Sequence, residues 1–112
     1  LYARYHLPIM ISENGWAARE TVSEDNRIHD VSRIAYMKEM IEAMSYAIDD
    51  GVELFAYEPW SFTDVLSSSQ GMDKRYGLVF VDRSNENIKE LKRYKKDSFY
   101  YYQQVIKEMS GK

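Results

Sequence analysis

Apolar residues along this chain follow two periods, one suited to strands and one to helices. Leu7-Pro8-Ile9-Met10-Ile11 is a short continuous apolar run that stops at Ser12-Glu13-Asn14-Gly15. Such a run, bounded by proline and glycine, predicts a strand buried on both faces, as in a parallel sheet. Arg19 to Asn26 is polar and charged and predicts a loop. Ile34, Met37, Ile41, Met44 and Ile48 then recur at spacings of three and four, which predicts a helix with Asp30 as N-cap and Gly51 closing its C-terminus. Val52 to Tyr57 predicts a second buried strand, so that strand, helix and parallel strand form one right-handed βαβ unit. Leu78 to Val81 predicts a third strand, turned at Ser84 to Asn87 and paired with Ile88 to Leu91. Ser98 to Met109 predicts a last helix with Phe99, Tyr102, Val105 and Ile106 on one face. The tyrosines at 100 to 102 are expected to pack against a neighbour rather than to form a ligand platform. No internal repeat is present.

Composition narrows the class. With 45% hydrophobic and 29% charged residues and a net charge of −3, the 112-residue chain has the make-up of a folding domain, and its acidic balance suggests no nucleic-acid partner. Cysteine is absent, which removes disulfides and thiolate metal sites and suits a reducing cytoplasm. His6 and His29 are too far apart to suggest a local metal motif, and a structural or solvent role is expected for both. No stretch has the length and apolarity of a membrane span, and no signal peptide is evident. The chain begins at Leu1 rather than Met, which is compatible with a piece of a longer chain and leaves open a targeting segment ahead of it.

Glu13 is the residue with the strongest chemical signal. Carboxylates at the C-terminal ends of parallel strands lie where substrates bind, although a surface turn residue would satisfy the same local pattern. Ile11-Ser12-Glu13-Asn14-Gly15 resembles the nucleophile segment of family 1 glycoside hydrolases, usually I/V-T/S-E-N-G. A second block in the expected place, Tyr57-Glu58-Pro59-Trp60-Ser61-Phe62-Thr63-Asp64, is followed by Lys74-Arg75-Tyr76-Gly77-Leu78-Val79-Phe80-Val81-Asp82 and strengthens the resemblance, which runs from about Tyr5 to the C-terminus.

The resemblance implies an α/β fold: the C-terminal quarter of a (β/α)8 TIM barrel, its last two βα units plus a β-hairpin, not a closed barrel by itself. A complete barrel needs about 250 residues, so residues 1–112 are read as a single partial domain whose open strand edges favour self-association. Retaining glycosidases use two carboxyl groups about 5 Å apart. By resemblance Glu13 is the nucleophile, with Asn14 orienting it and Gly15 letting the chain turn sharply beside it. The acid/base partner, a Glu in an Asn-Glu-Pro segment, has no counterpart here. Glu58 in Tyr57-Glu58-Pro59 is a look-alike expected to be structural or rim-lining, and the isolated chain is expected to be inactive.

Where β-glucosidases of the family continue through Asp-Asn-Phe-Glu-Trp, with the Glu holding O4 and O6 of the sugar, this chain reads Asp64-Val65-Leu66-Ser67-Ser68. A carboxylate facing O6 repels a phosphate ester, whereas a hydroxyl donates to it. Ser67, Lys74 and Tyr76 together resemble the phosphate-binding loop of the 6-phospho-β-glycosidase branch. Ser69 is a stand-in for Ser67 if the loop shifts, and strand alternation turns Arg75 away from Lys74 and Tyr76. Ser68, where 6-phospho-β-galactosidases carry Trp, favours a gluco substrate, and Trp60 is expected to wall the sugar ring unless it is a core residue.

The resemblance thus implies a cytoplasmic 6-phospho-β-glucosidase that needs no cofactor or metal and acts on disaccharide phosphates delivered by a sugar-phosphorylating uptake system. Three alternatives stand beside it: a β-glucosidase acting on unphosphorylated substrates, a 6-phospho-β-galactosidase, and a non-catalytic binding or assembly fragment using its tyrosine-rich face. A solvent-facing Ser67–Gly71 turn with Lys74 in water is the bland reading of the phosphate loop.

Overall fold

Strands β1 (Ile9–Asn14) and β2 (Leu54–Pro59) pair in parallel, Ile9 opposite Leu54 and Asn14 opposite Pro59, with helix α2 (Val31–Asp49) between them in the chain. The structure, a computed structural model, describes residues 1–110. An antiparallel hairpin of β3 (Val79–Val81) and β4 (Arg93–Lys95) follows, then helix α3 (Asp97–Ser110). A short helix α1 (Tyr2–Tyr5), which the sequence pattern does not announce, precedes β1 and ends in a left-handed His6. Among the described residues the two sheets have two strands each, and no closed barrel is formed.

The apolar stripe of α2 packs against α3 and β2, and Met37 is buried. Burial fades along the helix, leaving Ile48 at 49% exposure. Asp50, Gly51 and Val52 close α2 by donating their N–H groups to Tyr46, Ile48 and Ala47, with Gly51 at φ 98°. This is the left-handed glycine ending that satisfies the last orphan carbonyls of a helix.

Four expectations need correction. β1 and β2 are not buried on both faces, since Met10 and Phe55 are exposed. Each of these strands has a single neighbour, so nothing flanks the apolar side chains at its other edge. β2 starts and ends two residues later than Val52 to Tyr57. The partner of β3 is Arg93–Lys95 rather than Ile88 to Leu91, because Lys89 and Leu91 adopt left-handed φ values of 53° and 56° that an extended strand does not contain. Asp30 stands at the N-cap position of α2 but makes no side-chain cap there. Its carboxylate instead accepts hydrogen bonds from Arg33 and from the backbone N–H of Ser98, so it serves the first turn of α3.

Much of the buried interior is ionic. Ile28, Met37, Met72 and the β3 segment from Leu78 to Val81 form the buried apolar cluster. Among these side chains lie Arg33, Arg75 and Lys96, matched by Glu20, Asp30 and Asp64. Arg33 Nη1 is 2.6 Å from both Glu20 and Asp30, and Lys96 Nζ lies 2.7 Å from Asp64 while also reaching Glu20. Arg75 Nη1 donates to Asp64 at 2.8 Å. Three cations and three carboxylates balance, which is the condition under which buried charges are tolerated.

Candidate active site

β1 delivers Glu13 to its C-terminal end, and β2 delivers Trp60 just past its own. Glu13, Gly15, Trp60, Val65, Leu66, Ser67, Ser68 and Tyr76 line one open cavity of about 490 Å³. Residues far apart in the chain therefore meet in one cavity, and five of the candidate site residues, Glu13, Trp60, Ser67, Ser68 and Tyr76, are among them. Lys74 is not in the wall itself; its ammonium lies 5.4 Å from the centre of the Tyr76 ring, on the same loop. Glu58 is exposed and stays outside the lining.

The end of β1 is held from three sides. The backbone N–H of Trp60 donates to the Asn14 carbonyl at 2.7 Å, the Tyr57 hydroxyl donates to Asn14 Oδ1 at 3.0 Å, and Asn14 Nδ2 donates to the Tyr36 hydroxyl at 3.0 Å. Burial pushes the Tyr57 phenol up to about 12, with Tyr102 and Tyr36 adding to the effect, so it remains a donor across the ordinary pH range. Trp16 stacks on Tyr36 at 5.1 Å and ties α2 to the loop after β1. Gly15 is not in a left-handed conformation. A β-carbon there would stand 2.0 Å from the Trp60 carbonyl oxygen, so the site needs glycine for close approach rather than for the sharp turn expected.

The serine loop is ordered by its own hydrogen bonds. Ser67 and Gly71 exchange backbone hydrogen bonds, and Ser67 Oγ accepts from the N–H groups of Ser69 and Gln70. Ser69 Oγ lies 3.2 Å from Ser67 Oγ, so the stand-in adjoins the primary candidate. Arg75, flanked by Lys74 and Tyr76, points inward as alternation requires and is buried. Asp64, at the other end of the loop, is held below the ordinary carboxylate range: burial opposes ionisation, but Lys96, Arg75 and the Gly77 N–H overcome it.

Sequence reasoning missed the part played by Tyr36 and Tyr57 and the pairing of the six buried charges. Asp30 and Arg33, three apart on one helix face, carried a local signal, whereas Lys96 and Glu20 are 76 residues apart and carried none. His29, for which a structural or solvent role is expected, is half exposed and joins Asp97 at 2.6 Å and Asp25 at 2.9 Å. The tyrosine cluster packs as expected at one point, Tyr102 lying edge-on to Tyr57 at 6.4 Å. Among the described residues no acidic or histidine cluster is placed to hold a metal ion, and no helix is long and apolar enough to cross a membrane.

Comparison with known proteins places the chain in context. Residues 1–110 match the sequence model of glycosyl hydrolase family 1. The chain is 50% identical over 107 residues to aryl-phospho-beta-D-glucosidase BglA of Bacillus subtilis (strain 168), covering 94% of this chain and 22% of that protein. It is 43% identical over 107 residues to the 6-phospho-beta-glucosidase AscB of Escherichia coli (strain K12), covering 95% and 23%. The beta-glucosidase from Thermotoga maritima, solved in complex with noeuromycin, superposes with a TM-score of 0.87 at 40% identity over 95% of this chain and 23% of that one. The chain thus spans less than a quarter of the length of these relatives.

Proposed function

The chain belongs to glycosyl hydrolase family 1, and we propose that it is the C-terminal segment of a 6-phospho-β-glucosidase, supplying the nucleophile and the wall that receives the substrate's phosphate. The supporting observation is the single cavity that gathers Glu13, Trp60, Ser67, Ser68 and Tyr76, with the Lys74 ammonium 5.4 Å from the centre of the Tyr76 ring. The phospho-glucosidase names of BglA and AscB agree with this reading.

In the reaction the ionised Glu13 attacks the anomeric carbon while an acid on another part of the enzyme protonates the departing oxygen. The glycosyl ester is then hydrolysed by water that the same second group deprotonates, and Glu13 is released. Trp60 offers an aromatic face to the C–H groups of the sugar. The Ser67 and Ser68 hydroxyls and the Tyr76 phenol are donors to the phosphate oxygens, and Lys74 adds the cation. Ser68 is small and leaves room for the gluco configuration. A phosphorylated substrate made during sugar uptake places the enzyme in the cytoplasm.

A second reading keeps Glu13 as nucleophile but takes a plain β-glucoside. It is favoured by the position of Lys74 outside the cavity wall and by the superposition on the T. maritima enzyme, a beta-glucosidase by name. Hydrolysis of an aryl β-glucoside and of its 6-phosphate by the full-length enzyme separates the two. Lys74→Ala is expected to weaken turnover of the phosphate by about 2 kcal/mol in kcat/KM, the scale of a charge-assisted contact. Preference for the plain glucoside, indifferent to Lys74, establishes the second reading.

A further inference from the structure

The residues that would touch the phosphate all sit on one loop, and the structure holds that loop from outside the cavity. Asp64 and Arg75 stand at its two ends and are joined by a buried ion pair of 2.8 Å. Arg75 also donates to the carbonyls of Val81 and Arg83, at 2.8 and 2.6 Å, and its guanidinium lies 4.1 Å from the centre of the Phe80 ring. Its backbone is fastened as well, through paired hydrogen bonds with Ala18 and through Arg33 Nη2, which donates to the Arg75 carbonyl at 2.6 Å. At the far end of the loop Asn85, reaching across from the β3–β4 connection, accepts from the backbone N–H of the buried Met72 at 2.7 Å. A β-carbon on Gly71, which has φ 59°, would meet that same Asn85 oxygen at 2.2 Å.

We infer that Asp64, Arg75 and Asn85 are positioning residues that set selectivity for an anionic substituent, because they clamp the base and far end of the loop carrying Ser67, Ser68, Lys74 and Tyr76. This rests on the phosphate reading above. Donors held in place lose less rotational freedom when the anion binds, so the clamp acts on binding of the phosphate and not on attack at the distant anomeric carbon. Neither Arg75 nor Asn85 lines the cavity, which separates them from residues in contact with substrate.

The test uses the full-length enzyme with an aryl β-glucoside and its 6-phosphate, comparing Arg75→Lys and Asn85→Ala with wild type. Arg75→Lys keeps the charge but loses the fork of donors. Asn85 is exposed, so its replacement keeps the proposal testable even if Arg75→Lys does not fold. The expected result is a rise in KM for the phosphorylated substrate of about tenfold with kcat within about twofold, and unchanged kinetics on the plain glucoside. A merely structural role moves both substrates together, and that outcome, or an unchanged KM for the phosphate, overturns the clamp. Lys74→Ala distinguishes the two levels: if it abolishes phosphate preference while Arg75→Lys and Asn85→Ala leave KM for the phosphate unchanged, the clamp fails alone, and if it leaves the preference intact, the phosphate reading falls and the clamp with it.

Discussion

Gly15 and the carbonyl of Trp60 approach so closely that a single added methyl group would lie 2.0 Å from the oxygen. Trp60 also donates its N–H to the neighbouring Asn14, so the end of β1 and the end of β2 form one rigid junction beneath Glu13. Gly15→Ala is therefore expected to destabilise the enzyme by about 1–3 kcal/mol through overpacking. With Glu13 in its proposed role as nucleophile, activity should fall further, on the order of a hundredfold, the cost of displacing a reacting group by about 1 Å. Unfolding in urea and kcat/KM on the preferred substrate check the two effects, and a variant with wild-type turnover would contradict this account of the junction.

Tyr57→Phe removes the hydrogen bond to Asn14 Oδ1 while keeping the ring that faces Tyr102. A loss of about 1 kcal/mol in stability is expected for one such bond. The effect on catalysis should appear in kcat and not in KM, since Tyr57 does not line the cavity. Steady-state kinetics on the purified variant measure this, and a selective change in KM would count against it.

Lys96 is fully buried between Glu20 and Asp64. Lys96→Met leaves two buried carboxylates without their shared cation, and a destabilisation of about 3–5 kcal/mol is expected. The denaturation midpoint reports it. Restoring neutrality by adding either Glu20→Gln or Asp64→Asn should recover part of the loss, and failure of each single neutral replacement to recover any would show that packing, not charge, dominates at this site.

His29 bridges Asp97 and Asp25 at the surface, and hydrogen bonds to Asp97 first and Asp25 second raise its pKa above the ordinary 6.5. Asp25 and Asp97 are correspondingly lowered from 3.8, Asp25 chiefly by its bond to His29 and Asp97 by His29 and Arg27 against the opposing effect of burial. A raised histidine contributes stability that is complete below about 6.5 and is lost as pH rises through the folded value; a lowered carboxylate contributes stability that is lost as pH falls below about 3.8. The contribution of this cluster should thus be greatest in mildly acid solution and fade toward alkaline pH. Melting temperatures of wild type and His29→Gln, measured across pH 5 to 9 at low and high salt, should converge at high pH and at high salt.

The isolated 112-residue chain should neither turn over substrate nor remain monomeric. Phe55, Phe62 and Met10 are 67, 66 and 46% exposed, and β1 and β2 each keep an unpaired edge. Light scattering is expected to show association, and hydrolysis of either aryl glucoside should be undetectable. A compact monomer would remove the first expectation and measurable turnover the second.

Local pattern alone determined a good deal of this protein. The three-and-four spacing from Ile34 to Ile48 located α2, Gly51 marked its end, and the apolar runs located both parallel strands, because these signals depend only on near neighbours. Glu13 carried a local signal as a carboxylate at the end of an apolar run, whereas the roles expected of Trp60 and the serine loop came only from the resemblance to the family; the fold adds that Glu13, Trp60, Ser67, Ser68 and Tyr76 share one cavity. What stands behind them was decided in three dimensions. Asp30 looked like the cap of its own helix and serves Ser98 instead, Lys89 and Leu91 interrupted the expected strand, and nothing in the sequence marks Lys96 and Glu20 as the pair they form in the interior. A buried charge is stable only with a partner, and here the partners come from segments up to 76 residues apart. No periodicity records such a pairing; it arises when the loop after β1, helix α2, the serine loop and the start of α3 close on one another and exclude water.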